Sequence, residues 1–353
     1  MSDYREPVKI VVDKDVSLTV ADLNKVLVIT DEKNSDFKNY ASLEEVATEF
    51  GNNSKTYKAI ETFLSQTDGS GNILIPDYFS ILGVARELEE EEDTTYIPKV
   101  KNEVLELIGE SWYAILSIMD SAKLIEELIA ITTSERRIHI AEVSSYPLEN
   151  ADKIKSERVL LIYNTLGQEE EENREYKSFA YAGAVITPGA GSKSSMVKLT
   201  GVTADVKGGK KQDLTNNNIT FVEKRTSDGY IVANGGRTTE GTYLDEVTAI
   251  DMMIVNLNEA ILKTMILKGF PQDDDGYTLM DTTLTSVMEE LGKKNILAKE
   301  NGQYEYKVIP TTQTKEERMQ RIIRPRVIFR LKGWGYFVDL TIKKTESPVK
   351  DVK

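Results

Sequence analysis

RVIFRLKGWGYFVDLTIK, residues Arg326–Lys343, reads as one long strand with more edge than a single compact subunit uses. Val327, Phe329 and Leu331 alternate with Ile328, Arg330 and Lys332. Past Gly333 the alternation resumes, with Trp334, Tyr336, Val338, Leu340 and Ile342 on one face. Successive side chains leave a strand on opposite faces, so a period-2 pattern of aromatic and β-branched residues is the strand signature. Pro325 stops the preceding helix, and Gly333 and Gly335 permit a bend or bulge. At the opposite end Val8, Ile10 and Val12, then Val16, Leu18 and Val20, alternate in the same way around Asp13-Lys14-Asp15. Both ends therefore read as strands, which either complete their own sheet or are donated to a neighbouring chain by β-augmentation.

Between these arms, 353 residues exceed the size at which one core usually stops growing, so two lobes are expected. A net charge of −14 argues against nucleic acid, whose phosphates need Lys and Arg, and against an anionic membrane surface. No apolar run approaches the ~18 residues of a membrane span, and Met1–Pro7 carries no apolar stretch of the kind a secretory signal needs. With no cysteine there are no disulfides, thiolate metal sites or cysteine nucleophiles. That fits assembly in a reducing cytoplasm. The single histidine, His139, lies in an apparent strand and reads as structural, because one histidine makes no His-rich metal site.

The N-terminal arm spans residues 1–20, and the first lobe spans 21–145. Strands (Lys25–Thr30, Asn72–Ile75 continuing through Ile81–Ala85, Trp112–Met119, Arg137–Val143) alternate there with helices (Ser42–Gly51, Lys55–Ser65, Val100–Gly109, Ala122–Thr133). Alternation of this kind implies an α/β layer with a substantially parallel sheet. Two acidic runs, Glu87–Asp93 and Glu169–Glu172, read as solvated loops. The second lobe, 156–325, opens with strand Arg158–Asn164 and helix Arg174–Ile186 and has an α+β character. Its dominant element is a long helix over 245–268. Val247, Ile250, Ile254, Leu257, Ile261 and Met265 step by three and four along one apolar stripe about 27 Å long. A helix over Leu279–Leu291 with Thr278 as cap, a strand over Tyr304–Ile309 and a helix over Lys315–Ile323 with a capping box at Thr314 and Glu317 follow. Residues 326–353 form the C-terminal arm, whose tail Glu346–Lys353 reads as disordered.

Gly189-Ala190-Gly191-Ser192-Lys193-Ser194 invites comparison with a phosphate-binding loop and fails it. Ser192 rather than Gly precedes the lysine, and a β-type run rather than a helix follows. Asp273-Asp274-Asp275-Gly276 lacks the alternating ligands and distal Glu of a calcium loop and reads as a polar turn. No catalytic constellation, metal set or cofactor motif stands out. The basic stretch Lys315–Lys332 is more informative, with a local charge of +5. Arg318, Arg321 and Arg324 fall on one helical face. They either pair with the chain's own carboxylates or dock an acidic partner.

Taken in order, these segments resemble the contractile tail sheath proteins of phages, phage-tail-like bacteriocins and contractile injection systems. The resemblance rests on Asn234-Gly235-Gly236-Arg237-Thr238-Thr239-Glu240-Gly241-Thr242-Tyr243-Leu244-Asp245 running into the long helix. It is supported by the Ser-Leu-Glu-Glu-Val-Ala segment with Phe-Gly after it (Ser42–Gly51), the Tyr/Ala/Gly-rich helix ending in Pro-Gly (Phe179–Gly189), Leu199–Val202, and the Arg324-Pro325-Arg326 junction before a Gly-interrupted last strand. Lys332–Tyr336 departs from the pattern, which more often has small residues around one glycine.

The resemblance implies a two-lobed α/β sheath fold with extended terminal strands, no enzymatic activity and no cofactor. It implies polymerisation as six-fold rings in a helical array around an inner tail tube, with arms exchanged between copies, and contraction that drives the tube through a target envelope. The implied partners are other copies of the chain, the tube, the baseplate and the tail terminator, but not nucleic acid or membrane. The implied location is a virion tail or tail-like particle assembled in the bacterial cytoplasm. Val8, Ile10 and Val12, with Trp334, Tyr336, Val338, Leu340 and Ile342, are the expected exchanged-strand residues, and Arg318, Arg321 and Arg324 the expected tube-facing ones. The alternatives are another tail component forming a closed ring (a terminator or baseplate adaptor) and a soluble α/β enzyme with a phosphate-bearing substrate near Gly189–Lys193.

Overall fold

The computed structural model describes residues 23–86, 93–119, 121–145, 151–166, 173–227 and 230–336, together with the backbone of 10–12 and 14–16. In chain order the first elements are β1 (Ile10–Val12), β2 (Lys14–Val16), β3 (Val26–Thr30), β4 (Ser35–Tyr40), α1 (Leu43–Phe50), α2 (Lys55–Leu64), β5 (Phe79–Gly83) and α3 (Asp93–Glu106). Next come β6 (Ala114–Ser117), α4 (Ala122–Ser134), β7 (Ile138–Val143), β8 (Val159–Tyr163), α5 (Lys177–Val185), β9 (Val197–Lys198), α6 (Gly208–Asn216), β10 (Ile219–Lys224) and β11 (Ile231–Asn234). The last are α7 (Leu244–Leu267), α8 (Asp274–Lys293), β12 (Lys299–Glu300), β13 (Gln303–Tyr304), β14 (Tyr306–Ile309), α9 (Lys315–Gln320) and β15 (Arg326–Phe329).

One mixed sheet of nine strands carries the main body, in the order β4-β5-β3-β6-β7-β8-β10-β11-β9. Strands β5, β3, β6, β7, β8 and β10 run parallel; β4 and β11 flank them antiparallel, and β9 pairs antiparallel with β11 at the margin. Parallel strands are covered on both faces, so they read as continuous apolar runs. Val-Leu-Val-Ile-Thr of β3 and Val-Leu-Leu-Ile-Tyr of β8 are buried throughout. Helices α1, α2 and α5 cover one face, and α3, α4 and α6 the other. His139 is wholly buried in β7.

The expected lobe boundary between residues 145 and 156 falls inside this sheet, because β7 and β8 are hydrogen-bonded neighbours from His139↔Val159 to Val143↔Tyr163. The second core begins within α7. Leu244 and Val247 pack into the sheet's core, whereas Ala249, Met253, Leu257 and Ile261 pack against Met280, Leu284, Met288 and Leu291 of α8. Each fully buried Leu or Ile of that stripe contributes ~1.5–3 kcal/mol relative to exposure. Asp273, rather than Thr278, caps α8, its carboxylate accepting the Gly276 N–H at 3.1 Å. The triple-Asp run is thus a helix start whose charges suit the positive end of the helix dipole.

Several strands are shorter or differently placed than the sequence pattern predicts. β15 pairs with β14 only over residues 326–329, and Leu331 adds an isolated bridge to Leu297. Asn72–Ile75 makes a single bridge, Ile73 to Thr67, and the strand proper is β5. β4 was not expected, because Asp36, Lys38 and Asn39 break its apolar pattern. α3 starts at Asp93 rather than Val100 and runs through Pro98. At the N-terminus β1 turns back on β2 (Ile10↔Val16, Val12↔Lys14), so Lys14 and Asp15 belong to a strand rather than to a break between two strands. Strand N–H and C=O groups need partners, and the nearest alternating run supplies them. Glu87–Glu92, Glu169–Glu172 and Glu346–Lys353 lie outside the described residues.

Candidate functional site: the C-terminal junction and the basic tip

The glycine-rich loop after α5 is a structural junction. Gly191 (φ +74°) donates its N–H to Thr248 Oγ1 at 2.9 Å and offers its carbonyl to Trp334 Nε1–H at 3.0 Å. Ser194 is fully buried, and its carbonyl accepts the Tyr181 hydroxyl at 2.7 Å. Its N–H donates to the Tyr336 hydroxyl oxygen at 3.0 Å. The Ser194 and Tyr336 hydroxyls both donate to Asp245 Oδ1, the latter at 2.7 Å. These loop amides are committed inside the protein, and β9 rather than a helix follows, so the loop presents no anion cradle.

Asn234–Asp245, the stretch that carries the family resemblance, wraps this junction. Gly236 (φ +67°) sits where an added Cβ would lie 2.2 Å from the Ser194 carbonyl oxygen, so only glycine fits. Arg237 lies 4.5 Å over the Tyr243 ring and donates to its hydroxyl at 3.0 Å, and Tyr243 meets the Tyr336 ring at 4.8 Å. Burial first, with the Asp245 charge adding, pushes the Tyr336 hydroxyl up to about 12 against the opposing Ser194 bonds. Trp334 and Tyr336, expected on a donated strand, are thus held by their own chain. The segment leaves the strand path beyond Leu331 and brings both aromatic rings onto the loop without depending on Gly333 or Gly335, since neither has a positive φ and an added Cβ would meet nothing within 4 Å at either.

A second cluster, absent from the sequence reading, joins α7 to the sheet. Asp251 is fully buried and accepts Arg158 Nη2–H at 3.1 Å, Arg136 Nε–H at 2.7 Å and the Tyr113 hydroxyl at 2.6 Å. Each partner sits just before a central strand, β6, β7 or β8. The signal available in sequence was an aspartate amid the apolar residues of α7 together with arginines directly preceding two strands. Desolvation first, then the Asp251 charge, holds the Tyr113 hydroxyl well above its ordinary value.

The basic stretch is divided. α9 ends at Gln320, and Arg321 (φ 56°) is its left-handed cap, so Arg318, Arg321 and Arg324 do not share one helical face. Arg324 pairs with Glu317 at 3.0 Å, and Arg330 pairs with Glu305. Arg318 is exposed beside Asp273–Asp275, and Arg321 beside Phe270 and Ile323. The same end of the molecule exposes Ile266, Leu267 and Met319. Ile10 and Val12 are described as strand backbone, and Val8, Val338, Leu340 and Ile342 lie outside the described residues. Among the described residues no group of three or more acidic or histidine side chains is arranged to hold a metal, and no helix is long and apolar enough to cross a membrane.

No family model matches the chain, and no curated protein matches it in sequence. Solved structures do match. The chain of the anti-feeding prophage (AFP) helical sheath in its contracted state superposes with a TM-score of 0.69 at 13% identity, covering 97% of this chain and 100% of that one. This is the sheath fold. The contracted sheath complex of the extracellular contractile injection system PVC gives a TM-score of 0.64 at 12% identity, covering 98% and 99% of the two chains. A sheath tail protein from Listeria innocua gives 0.55 at 10% identity, covering 82% and 89%. The sheath fold accounts for the α/β body and the helical second core together, as the family resemblance implied.

Proposed function

We propose that this chain is the structural subunit of a contractile sheath. Copies stack as six-fold rings in a helical array around an inner tail tube, joined by exchanged terminal strands, and shortening of the array drives the tube through a target envelope. The observation that carries this reading is the end-to-end match to the AFP sheath chain, which leaves 3% of this chain uncovered and none of the other. The β14–β15 ladder supports it, because a two-stranded ladder packed on α7 and α8 still has strand edges to offer an incoming segment. Heterologous contacts that do not close generate a helical array. The end bearing Arg318, Arg321, Ile266, Leu267 and Met319 is the proposed tube-facing surface, and baseplate and terminator proteins cap the array. Work comes from interface rearrangement, so no cofactor or catalytic residue is assigned. The particle is a phage tail or tail-like device assembled in the bacterial cytoplasm.

Negative-stain microscopy of the purified full-length chain tests this, alone and with its tube protein. Long six-fold tubes are expected. Closed rings of fixed size would instead make it a terminator or baseplate adaptor, and a discrete small oligomer that ignores the tube would end the sheath reading.

A further inference from the structure

We infer that Tyr336 is a latch fastening the root of the C-terminal segment to its own subunit, so that exchange with a second copy begins beyond residue 336. The inference rests on the sheath reading for the exchange and on this chain's geometry for the latch. Tyr336 donates to Asp245 at 2.7 Å, accepts from the Ser194 N–H at 3.0 Å and lies against Tyr243 at 4.8 Å. Two residues earlier, Trp334 is tied to the Gly191 carbonyl at 3.0 Å. The four anchor points come from two separate segments: the 191–194 loop, and Tyr243 and Asp245 where the resemblance-bearing stretch enters α7. The described backbone pairing that continues β15 ends at Lys332, whose N–H donates to the Ile296 carbonyl at 2.9 Å, so both rings lie beyond it. The latch therefore sets both the point at which the segment leaves the body and the register in which it meets a neighbour.

This reassigns Trp334 and Tyr336 from the donated strand to a positioning role. It also gives the Asn234–Asp245 stretch a task. Gly236 admits the Ser194 carbonyl, Tyr243 supplies the ring face, and Asp245 receives two hydroxyls. Opening the latch would free the rings and lengthen the transferable segment, which loosens the register between copies rather than unfolding either one.

Hydrogen exchange of the unassembled full-length chain tests the latch without requiring assembly. The Ser194 amide uses the Tyr336 hydroxyl as its acceptor, so Y336F should exchange at Ser194 about tenfold faster, equivalent to ~1.4 kcal/mol. Thermal unfolding of Y336F should stay cooperative. Acrylamide quenching supplies a second readout, because Trp112 is fully buried and Trp334 is the other tryptophan. Trp334 is already 40% exposed, so in Y336A its quenching constant should rise, and assembly should give shorter or irregular tubes while Y336F retains part of the regular order. Unchanged Ser194 exchange in Y336F, or unchanged quenching in Y336A, would overturn the latch. A wild-type chain that shows both latch signals yet never forms tubes would remove the exchange and leave the latch standing.

Discussion

Asp251 in the long helix and Arg158 at the mouth of β8 form a two-point ion pair with neither side chain more than 7% exposed. Arg136 and Tyr113 fill the carboxylate's remaining acceptor sites. Burying an ion pair is expensive, and its return depends on complete pairing. Here the pairing is complete on the acid, and the cluster ties the helical second core to the end of the sheet where the central strands β6, β7 and β8 begin.

Asp251→Asn should therefore destabilise the chain by ~3–5 kcal/mol, because two guanidiniums lose their counter-charge inside the protein. Urea unfolding followed by circular dichroism measures this. A loss below about 1 kcal/mol would mean that water reaches the cluster.

Gly236→Ala should cost more than ~1 kcal/mol, since a positive φ and a Cβ 2.2 Å from the Ser194 oxygen both oppose it. The displaced loop should also release Trp334, so rising acrylamide quenching is expected alongside the lowered melting temperature. Gly302→Ala serves as a control, with φ +83° but nothing near its Cβ.

Acid should weaken the fold in a defined window. Burial raises the Asp205 carboxyl, but hydrogen bonds from Lys177 and Thr165 outweigh it and leave it below the ordinary value. Glu223 is lowered in the same way by Lys211 and Arg225 against its burial. A depressed folded-state value gives stability that is fully present above the unfolded value of about 4 and is lost as pH falls through the folded one. The urea midpoint should be level from neutral pH down to about 5 and fall below about 4. Asp205→Asn should lower it at neutral pH, leaving the wholly buried Lys177 without that partner, and should flatten the acid limb.

Charge reversal at Arg318 and Arg321 should weaken assembly on the tube and steepen its salt dependence. Arg324→Glu should act mainly within the subunit, because that guanidinium already holds Glu317. Co-sedimentation with the tube protein across a salt series separates the two. Equal effects from all three would assign the arginines to internal pairing.

Removing residues 1–15 should leave a chain with an unchanged melting temperature, since the strand pairing described there is local, β1 with β2 over residues 10–16. Long tubes should disappear from micrographs if those residues are exchanged between copies. Normal tubes from the truncated chain would refute exchange of the N-terminal strand.

Local periodicity made much of this fold legible. The apolar stripe of α7, the buried runs of β3, β6, β7 and β8, and the Thr314–Glu317 capping box all follow from near neighbours in sequence. The continuity of the sheet past residue 145 was not legible, because nothing in β7 or β8 names its lateral partner. β4 escaped notice because an edge strand keeps charged residues facing water. The alternation at 334–342 was read as one strand, yet aromatic residues spaced by two also suit a segment that docks both rings on one side.

By itself the sequence determined where the long apolar runs and stripes fall, where several helices start, that the sheet is largely parallel and that the chain ends carry strand patterns. Those properties depend on side-chain period and capping within a few residues. The tertiary structure alone decided that Asp251 gathers Arg136, Arg158 and Tyr113, and that Asp245 and Ser194 hold Tyr336. Such contacts join residues 91 to 142 positions apart. Pairings at that distance are chosen by the packing of the whole chain, since hydrogen-bonding groups taken out of water accept whichever complement the fold brings to them.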